Sequence, residues 1–230
     1  MYSESFGSSD EPSANTAIST EVHVEGQLDA GDLLIPRLTI AQKLSEDRGT
    51  PGQVGINLGE RVVICYNRDI KVPSNILSAK KYWKQDIKFG ATQEYAKLAN
   101  TAAEAKLLEE EGPYPIIHVA DFVLLIAQTP DCLLDEDDAF EAFPFEVGDN
   151  RFAMVKLTAQ KRGYDSTFKR VTTFQLTNKG VDLSQVIWNF ASQQTKNTFG
   201  TWDIPTLAAT RSTVSPEVAE FIAGLKGGAQ

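Results

Sequence analysis

The most apolar stretch of the chain, residues 115–127, is the feature that most constrains the fold. Its sequence is PIIHVADFVLLIA, dominated by β-branched and large apolar side chains. Apolar runs of this kind are typical of strands buried on both faces of a sheet. The longest uninterrupted apolar run within it, Phe122 to Ala127, is far too short to span a bilayer. We therefore predict a central strand here, bent near Asp121.

Several other segments carry strand or helix patterns, and together they indicate the fold class. Turn residues separating β-branched and aromatic runs predict strands at 59–66, 76–84 and 152–158, and a hairpin around Lys196-Asn197 with arms 185–193 and 199–207. Helical spacing and capping residues predict helices from Thr92 to about Glu110 and after Ser215. We expect an α+β domain with a mainly antiparallel sheet and a few flanking helices, built as an OB-like barrel or as a non-standard fold.

The chain changes character at about residue 30. Residues 1–30 are rich in Ser, Glu, Asp, Thr and Gly without a sustained hydrophobic period. Such a segment cannot bury enough apolar surface to offset the entropy of ordering. We expect a flexible acidic tail, or alternatively an acidic arm that competes with nucleic acid for a basic surface. Residues 31–230 are long enough for a single domain with a sizeable core.

Charge is strongly segregated along the chain. The net charge is −9, yet acids dominate residues 1–32 and 104–149 while bases dominate 61–88 and 151–179. In the last segment a single acid, Asp165, stands against seven Lys and Arg residues. Local potential, rather than net charge, steers association. The acidic total is therefore compatible with an anionic ligand, although it argues against indiscriminate coating of duplex DNA.

Both basic segments also contain aromatic residues. One is the run Lys80-Lys81-Tyr82-Trp83-Lys84, and the other surrounds Tyr164 and Phe168. Cations bind phosphates and rings stack on unpaired bases, the combination that single-strand grooves use. The alternatives are a strand with Trp83 in the core, and a solvated helix face whose bases balance nearby carboxylates. Tyr164, next to Gly163, is expected in an exposed turn, and residues 171–177 fit a helix or a strand.

A series of short motifs resembles a group of phage-encoded single-stranded DNA-binding proteins. The series opens with Ile35-Pro36-Arg37-Leu38, Gln42 and a Gly52-x-x-Gly55 turn before a strand. The 80–84 cluster, an acidic middle, the basic segment around Lys161 and an aromatic hairpin with Trp202 follow. The group includes a cofactor of a phage RNA polymerase. The resemblance implies sequence-tolerant binding of single-stranded DNA in phage replication or transcription, in the host cytoplasm, with the polymerase or replication proteins as further partners.

The candidate DNA-binding residues come from the two basic and aromatic segments and the strand that leads into the second. They are Lys80, Lys81, Tyr82, Trp83, Lys84, Lys156, Lys161, Arg162, Tyr164, Lys169 and Arg170. The apolar stripe of the last helix suits either the core or a partner subunit, and we expect a homo-oligomer. The alternative functions are a protein–protein adaptor that recruits a phage RNA polymerase through an acidic surface, and a virion or scaffold component.

Motifs for catalysis, metals or cofactors are absent from the sequence. It contains no phosphate-binding loop, dinucleotide fingerprint, Cys/His metal set or nucleophile elbow. Of the two histidines, His23 lies in the tail, and His118 is expected in the core or on the sheet surface. Cys65 and Cys132 lie in apolar segments and are expected to be buried thiols of a reducing, intracellular compartment. The acidic run 131–141 lacks the pattern of a calcium loop and is expected to be a solvated loop. We predict a protein that is not an enzyme and has no cofactor.

Overall fold

The computed structural model describes residues 34–43, 49–87, 95–198 and 200–227. The predicted tail, residues 1–30, lies outside this part of the chain. The strands are β1 (Arg37–Ile40), β2 (Val54–Leu58), β3 (Arg61–Tyr66), β4 (Val72–Gln85), β5 (Leu98–Ala99), β6 (Ile116–Ala127), β7 (Phe145–Val147), β8 (Asn150–Gln160), β9 (Val186–Asn197) and β10 (Gly200–Thr213). The helices are α1 (Ala102–Glu111), α2 (Glu136–Ala142), α3 (Arg162–Tyr164), α4 (Arg170–Thr177) and α5 (Pro216–Gly227). A π-helical turn, Asp165–Lys169, joins α3 to α4, and a 3-10 turn, Leu183–Gln185, precedes β9.

The strands form one sheet in the order β10-β9-β4-β6-β8-β1-β2-β3, with β5 added to β4 and β7 to β8. Every pairing is antiparallel except β1 with β8. The predicted α+β class and mainly antiparallel sheet are confirmed. The sheet is strongly curled into a half-barrel, consistent with an OB-like barrel. The apolar stretch that we predicted as a central strand is β6, and the predicted hairpin is β9–β10.

Strand alternation divides the apolar residues between two cores. Phe122 and Leu124 of β6 point to the inner face, where they join Ile56 from one end of the sheet and Trp188 and Phe190 from the other. Residues from both ends share one cluster because the sheet curls. A smaller cluster on the outer face is covered by α5 and contains Leu125, Phe152, Val218 and Ile222.

The continuous helical segment 162–177 lies against the inner face. Its buried side chains Tyr164 and Val171, together with half-buried Phe168 and Phe174, belong to the larger core. The Thr-rich run, for which helix and strand were equally compatible, is therefore helical. Three of its threonines each donate a side-chain hydrogen bond to a carbonyl four residues earlier, as at Thr173 Oγ1 to Lys169 O, 2.8 Å.

The far ends of the curled sheet are joined by side chains rather than by a ladder. Gln42, just after β1, donates from Nε2 to the Asp203 carbonyl at 2.9 Å and accepts from the Asp203 amide at 3.2 Å. Arg68 Nε lies 2.8 Å from Asp203 Oδ1, and Arg68 Nη2 donates to the Pro51 carbonyl at 2.7 Å. These contacts hold the β9–β10 hairpin against the β1–β3 end, which closes the half-barrel.

Two sequence expectations were wrong in detail. The helix expected from Thr92 begins instead at Ala102, where the Thr101 side chain accepts a hydrogen bond from the Glu104 amide; Thr92 itself lies outside the described residues. The acidic run 131–141 is not simply a loop but contains α2, capped by Asp135 and paired with Arg61 of β3. No described helix is long and apolar enough to cross a membrane.

Candidate nucleic-acid interface

The 80–84 cluster is divided between the two faces of β4. Lys81 pairs with buried Ala120, and Trp83 pairs with His118, which places both on the inner face. Successive strand residues point to opposite sides, so Lys80, Tyr82 and Lys84 lie on the outer face. The structure therefore does not bring the five residues of this cluster together.

A row of aromatic rings runs from the inner surface into the core. Trp83 and His118 have ring centroids 5.7 Å apart, His118 stacks on Tyr164 at 5.2 Å, and Tyr164 stacks on Phe168 at 5.2 Å. Phe168 meets Phe122 at 6.1 Å. Trp83 is half-buried and His118 is exposed. The row thus presents rings to solvent at one end and is anchored in the core at the other.

Tyr164 lies inside this row and not in the exposed turn that the sequence suggested. Its side chain is buried, at 5% relative exposure, between the rings of His118 and Phe168. Gly163 does not mark a turn either. A Cβ at this position would lie 3.2 Å from Pro205 Cδ, so glycine allows the helix to approach β10 closely.

The start of the helical segment carries two cations held in place by neighbours. Lys161 adopts φ 53°, a conformation that costs a residue with a side chain about 1–3 kcal/mol, and its Nζ lies 2.8 Å from Asp86 Oδ2. Arg162 lies over the ring of Trp202, 5.7 Å from its centroid, and donates to Thr195 Oγ1 at 3.0 Å. Arg162 therefore contacts the tip of the β9–β10 hairpin, and Lys161 contacts the residue that follows β4.

We call the resulting surface the basic rim. It comprises Lys81, Trp83, His118, Lys161, Arg162, Lys169 and Trp202. Lys81 Nζ lies 4.5 Å from the Trp83 ring centroid, and Lys169 forms an ion pair with Asp165 at 2.6 Å. Burial, followed by the charges of Lys81 and Lys169, lowers the pKa of His118, while Asp165 opposes this shift. The neutral form of His118 is therefore favoured in a positive environment.

A second basic surface, which we call the outer patch, lies across β1, β4 and β8. It comprises Arg37, Lys80, Tyr82, Lys84 and Lys156. Asp121 lies at its centre, 3.1 Å from Lys156 Nζ, and accepts from Thr158 Oγ1 at 2.6 Å. Burial and then Asp121 raise the pKa of the Tyr82 hydroxyl. Lys80 and Lys84 form no ion pair with any residue that the structure describes.

One candidate residue, Arg170, has not yet been placed, and two residues of the basic rim, His118 and Trp202, were not among the candidates. Arg170 is exposed and makes no ion pair within the described ranges. His118 was expected to be structural, and Trp202 was noted only as part of a hairpin. Pairing the two predicted strands 76–84 and 115–127 would have placed His118 beside Trp83, but the register was not evident from sequence. The contact of Trp202 with Arg162 joins segments 40 residues apart, and no local pattern indicates it.

The arrangement of the described residues does not favour metal binding or thiol chemistry. No group of three or more His, Cys, Asp or Glu in this part of the chain is arranged to hold a metal ion. Burial raises the pKa of Cys65 to about 12, so its thiol stays protonated at neutral pH and is a poor nucleophile.

Comparison with known proteins identifies no relative. No protein-family model, no curated protein and no solved structure matches this chain.

Proposed function

We propose that the protein binds single-stranded DNA through the basic rim, with little sequence preference. The observation that carries the proposal is the meeting of two distant basic and aromatic segments: Lys81 and Trp83 of β4 lie beside His118, which stacks on Tyr164 of the 161–170 segment. The resemblance noted in the sequence supports a phage protein that acts in replication or transcription in the host cytoplasm, with the viral polymerase or replication proteins as further partners.

The rim offers both kinds of contact that an unpaired strand uses. Lys81, Lys161, Arg162 and Lys169 supply charge for phosphates, while Trp83, His118 and Trp202 supply ring surface for bases. Lys81 has a flexible stem, so its ammonium can move from the indole to a phosphate when a base takes its place. Exposed ion pairs such as Lys169 with Asp165 contribute little and are readily exchanged for phosphate contacts.

Single strands are favoured over duplex by the same features. In a duplex the base faces are already stacked, so the rings of the rim have nothing to stack on. A long rigid polyanion that extends beyond the rim would also be repelled by the acidic helix α2 and the acidic last turn of α1. Binding is therefore confined to a flexible strand that follows the rim.

The test compares two triple variants that remove the same charge from opposite faces of the sheet. Lys81→Ala/Arg162→Ala/Lys169→Ala removes three cations of the rim, and Lys80→Ala/Lys84→Ala/Arg37→Ala removes three from the outer patch. We expect the rim variant alone to lose affinity for an oligo-dT strand, with the salt slope of log K reduced by about 2, or roughly 0.7 per contact. Fluorescence anisotropy at several salt concentrations measures both quantities, and thermal melts check folding.

Equal losses in the two variants, or a loss only in the outer-patch variant, would move the binding surface away from the rim. If wild-type protein shifts neither single-stranded nor duplex oligonucleotides at low salt, the DNA-binding proposal fails. The adaptor function would then be favoured, because Phe140 is 63% exposed within the acidic segment and could contact a partner protein.

Binding should also become tighter as the pH falls, because of His118. A phosphate beside the imidazole favours its protonated form, so the pKa of His118 is higher in the complex than in the free protein. The gain in affinity is fully present below the free pKa and is lost as the pH rises through the pKa of the complex. In the free protein, burial and then Lys81 and Lys169 lower the pKa of His118, while Asp165 raises it. Affinity titrations from alkaline to mildly acidic pH should show this rise, and His118→Gln should remove it; an unchanged pH profile in that variant contradicts the role.

A further inference from the structure

We propose that a cavity on the outer face of the sheet binds a small, neutral, heteroaromatic molecule that carries a ring N–H. This proposal does not depend on DNA binding. The cavity has a volume of about 360 Å³ and lies among the starts of β4, β8 and β9, the end of β6 and the start of α5. Ligand pockets in proteins usually measure about 300–1,000 Å³, so the space is large enough for such a ring.

The cavity is separate from both basic surfaces. Asn75 of β4 lines it and pairs with Leu125 of β6, which belongs to the cluster covered by α5. Asn75 therefore lies on the outer face, whereas the basic rim lies on the inner face. The outer patch uses the opposite end of β4, from Lys80 to Lys84. A ligand in the cavity would thus occupy a site that neither basic surface includes.

The walls of the cavity are apolar and carry no charge. Ala127, Phe152, Ile187, Val214 and Val218 supply hydrocarbon surface, and none of the described residues that line the cavity is charged. An anionic ligand, such as a free nucleotide, would enter without a cation to pair with, and an unpaired charge is costly to bury. The cavity therefore favours an uncharged molecule.

A fixed hydrogen-bond acceptor faces this apolar space. Asn75 is 4% exposed, and its Nδ2 donates to the carbonyls of Ser184 at 3.1 Å and Val186 at 3.0 Å. Because both partners are carbonyls, the orientation of the amide is fixed. Its Oδ1 accepts from no residue that the structure describes, yet this atom is not sealed from solvent. Asn75 lines the cavity and Ser184 and Val186 do not, so Oδ1 is the atom that Asn75 offers to a ligand.

These features define the chemistry of the ligand. A flat ring can pack on Phe152 and on the aliphatic walls, and a rigid molecule loses little conformational freedom on binding. A ring N–H can donate to Asn75 Oδ1, whereas a ligand without a donor leaves this buried acceptor unpaired. Indole is the simplest molecule that combines the flat apolar body with the single N–H, and it is therefore the probe of choice.

The experiment titrates the full chain with indole and, separately, with N-methylindole, which keeps the ring but has no N–H. Proton–nitrogen correlation NMR spectra report both the affinity and the location of binding. We expect indole to shift the side-chain amide of Asn75 and the backbone amides of Ile187 and Val214. N-methylindole should bind about tenfold more weakly, because it leaves the Asn75 acceptor unpaired. Equal affinities, shifts confined to another surface, or no shifts at the solubility limit of indole would each overturn the proposal.

A variant that fills the cavity tests the same site from the protein side. Val214→Phe enlarges a half-buried side chain of the lining, so it should abolish the shifts caused by indole. Val181→Phe, the same change at a 44% exposed position outside the cavity, should bind indole as wild type does. Thermal melts check that both variants are folded. Indole binding of wild-type strength by folded Val214→Phe contradicts the proposal; if this variant does not fold, the comparison of the two ligands on wild type decides.

Discussion

Replacing Tyr164 with alanine should lower the free energy of unfolding by about 3–5 kcal/mol, the usual cost of removing a large buried aromatic side chain. The ring is 5% exposed and stacks on both His118 and Phe168. Its loss leaves a cavity between the helical segment and the inner face, and it removes the support beneath the exposed imidazole. Urea or thermal denaturation measures the effect.

Tyr164→Phe is the matched control. It keeps the stacked ring, and no hydrogen bond from the Tyr164 hydroxyl to a described residue is lost. Stability and affinity for single-stranded DNA should both stay close to wild type. If Tyr164 instead stacked on a base directly, Tyr164→Ala would weaken binding while the melting temperature stayed unchanged, and the assignment of Tyr164 as a supporting residue would be wrong.

Replacing Arg68 with alanine should cost about 3 kcal/mol of stability, near the lower end for breaking a buried ion pair. The side chain of Asp203 is 3% exposed, so its carboxylate is left buried without a cation. The Arg68 side chain is 32% exposed, which keeps the cost from being larger. Because this pair joins the two ends of the sheet, we expect the β9–β10 hairpin to lose hydrogen-exchange protection together with β1.

Two further variants separate the effect of an unpaired buried charge from a general loss of stability. Arg68→Ala/Asp203→Asn removes both charges and should be more stable than Arg68→Ala alone. Arg61→Ala breaks two ion pairs at the exposed α2, where the side chain of Arg61 is 51% exposed, and should cost much less stability than Arg68→Ala, because solvent screens exposed charges. A double variant no more stable than Arg68→Ala would show that the guanidinium acts by packing rather than by charge.

Strand and helix positions were largely predictable from sequence, because each depends on local pattern. Residues 115–127, the 196–197 hairpin and the helix after Ser215 follow from β-branched runs, turn residues and a Ser-Pro start. The Thr-rich run 171–177 was undecided, since threonine favours strands locally. Packing of Phe174 on Trp188, with ring centroids 5.2 Å apart, favours the helix through a residue that lies far along the sequence.

The candidate site was harder to predict than the fold. The sequence analysis named two basic and aromatic segments as candidates, but it assigned all of their members to one surface although a strand must divide them. Lys81 and Trp83 reach the rim, whereas Lys80, Tyr82 and Lys84 lie on the outer patch. Gly163 was taken as a turn signal, and its actual role, close approach to Pro205, depends on a strand 42 residues away. The face on which a strand residue lies and the strand that a glycine approaches depend on tertiary contacts, which composition does not reveal.

The side-chain closure of the half-barrel also imposes an order on folding during synthesis. Gln42 and Asp203 are separated by 161 residues, so at about 5–20 residues per second the early strands wait on the order of ten seconds for their partner to be made. During that interval β1–β3 lack the other half of their core, and β4 lacks β9. Contacts of such long range slow folding and expose strand edges to other chains. The early strands can therefore be buried only after the last quarter of the polypeptide has been made. Chaperones that keep nascent strands from pairing with other chains would act before residue 203 leaves the ribosome.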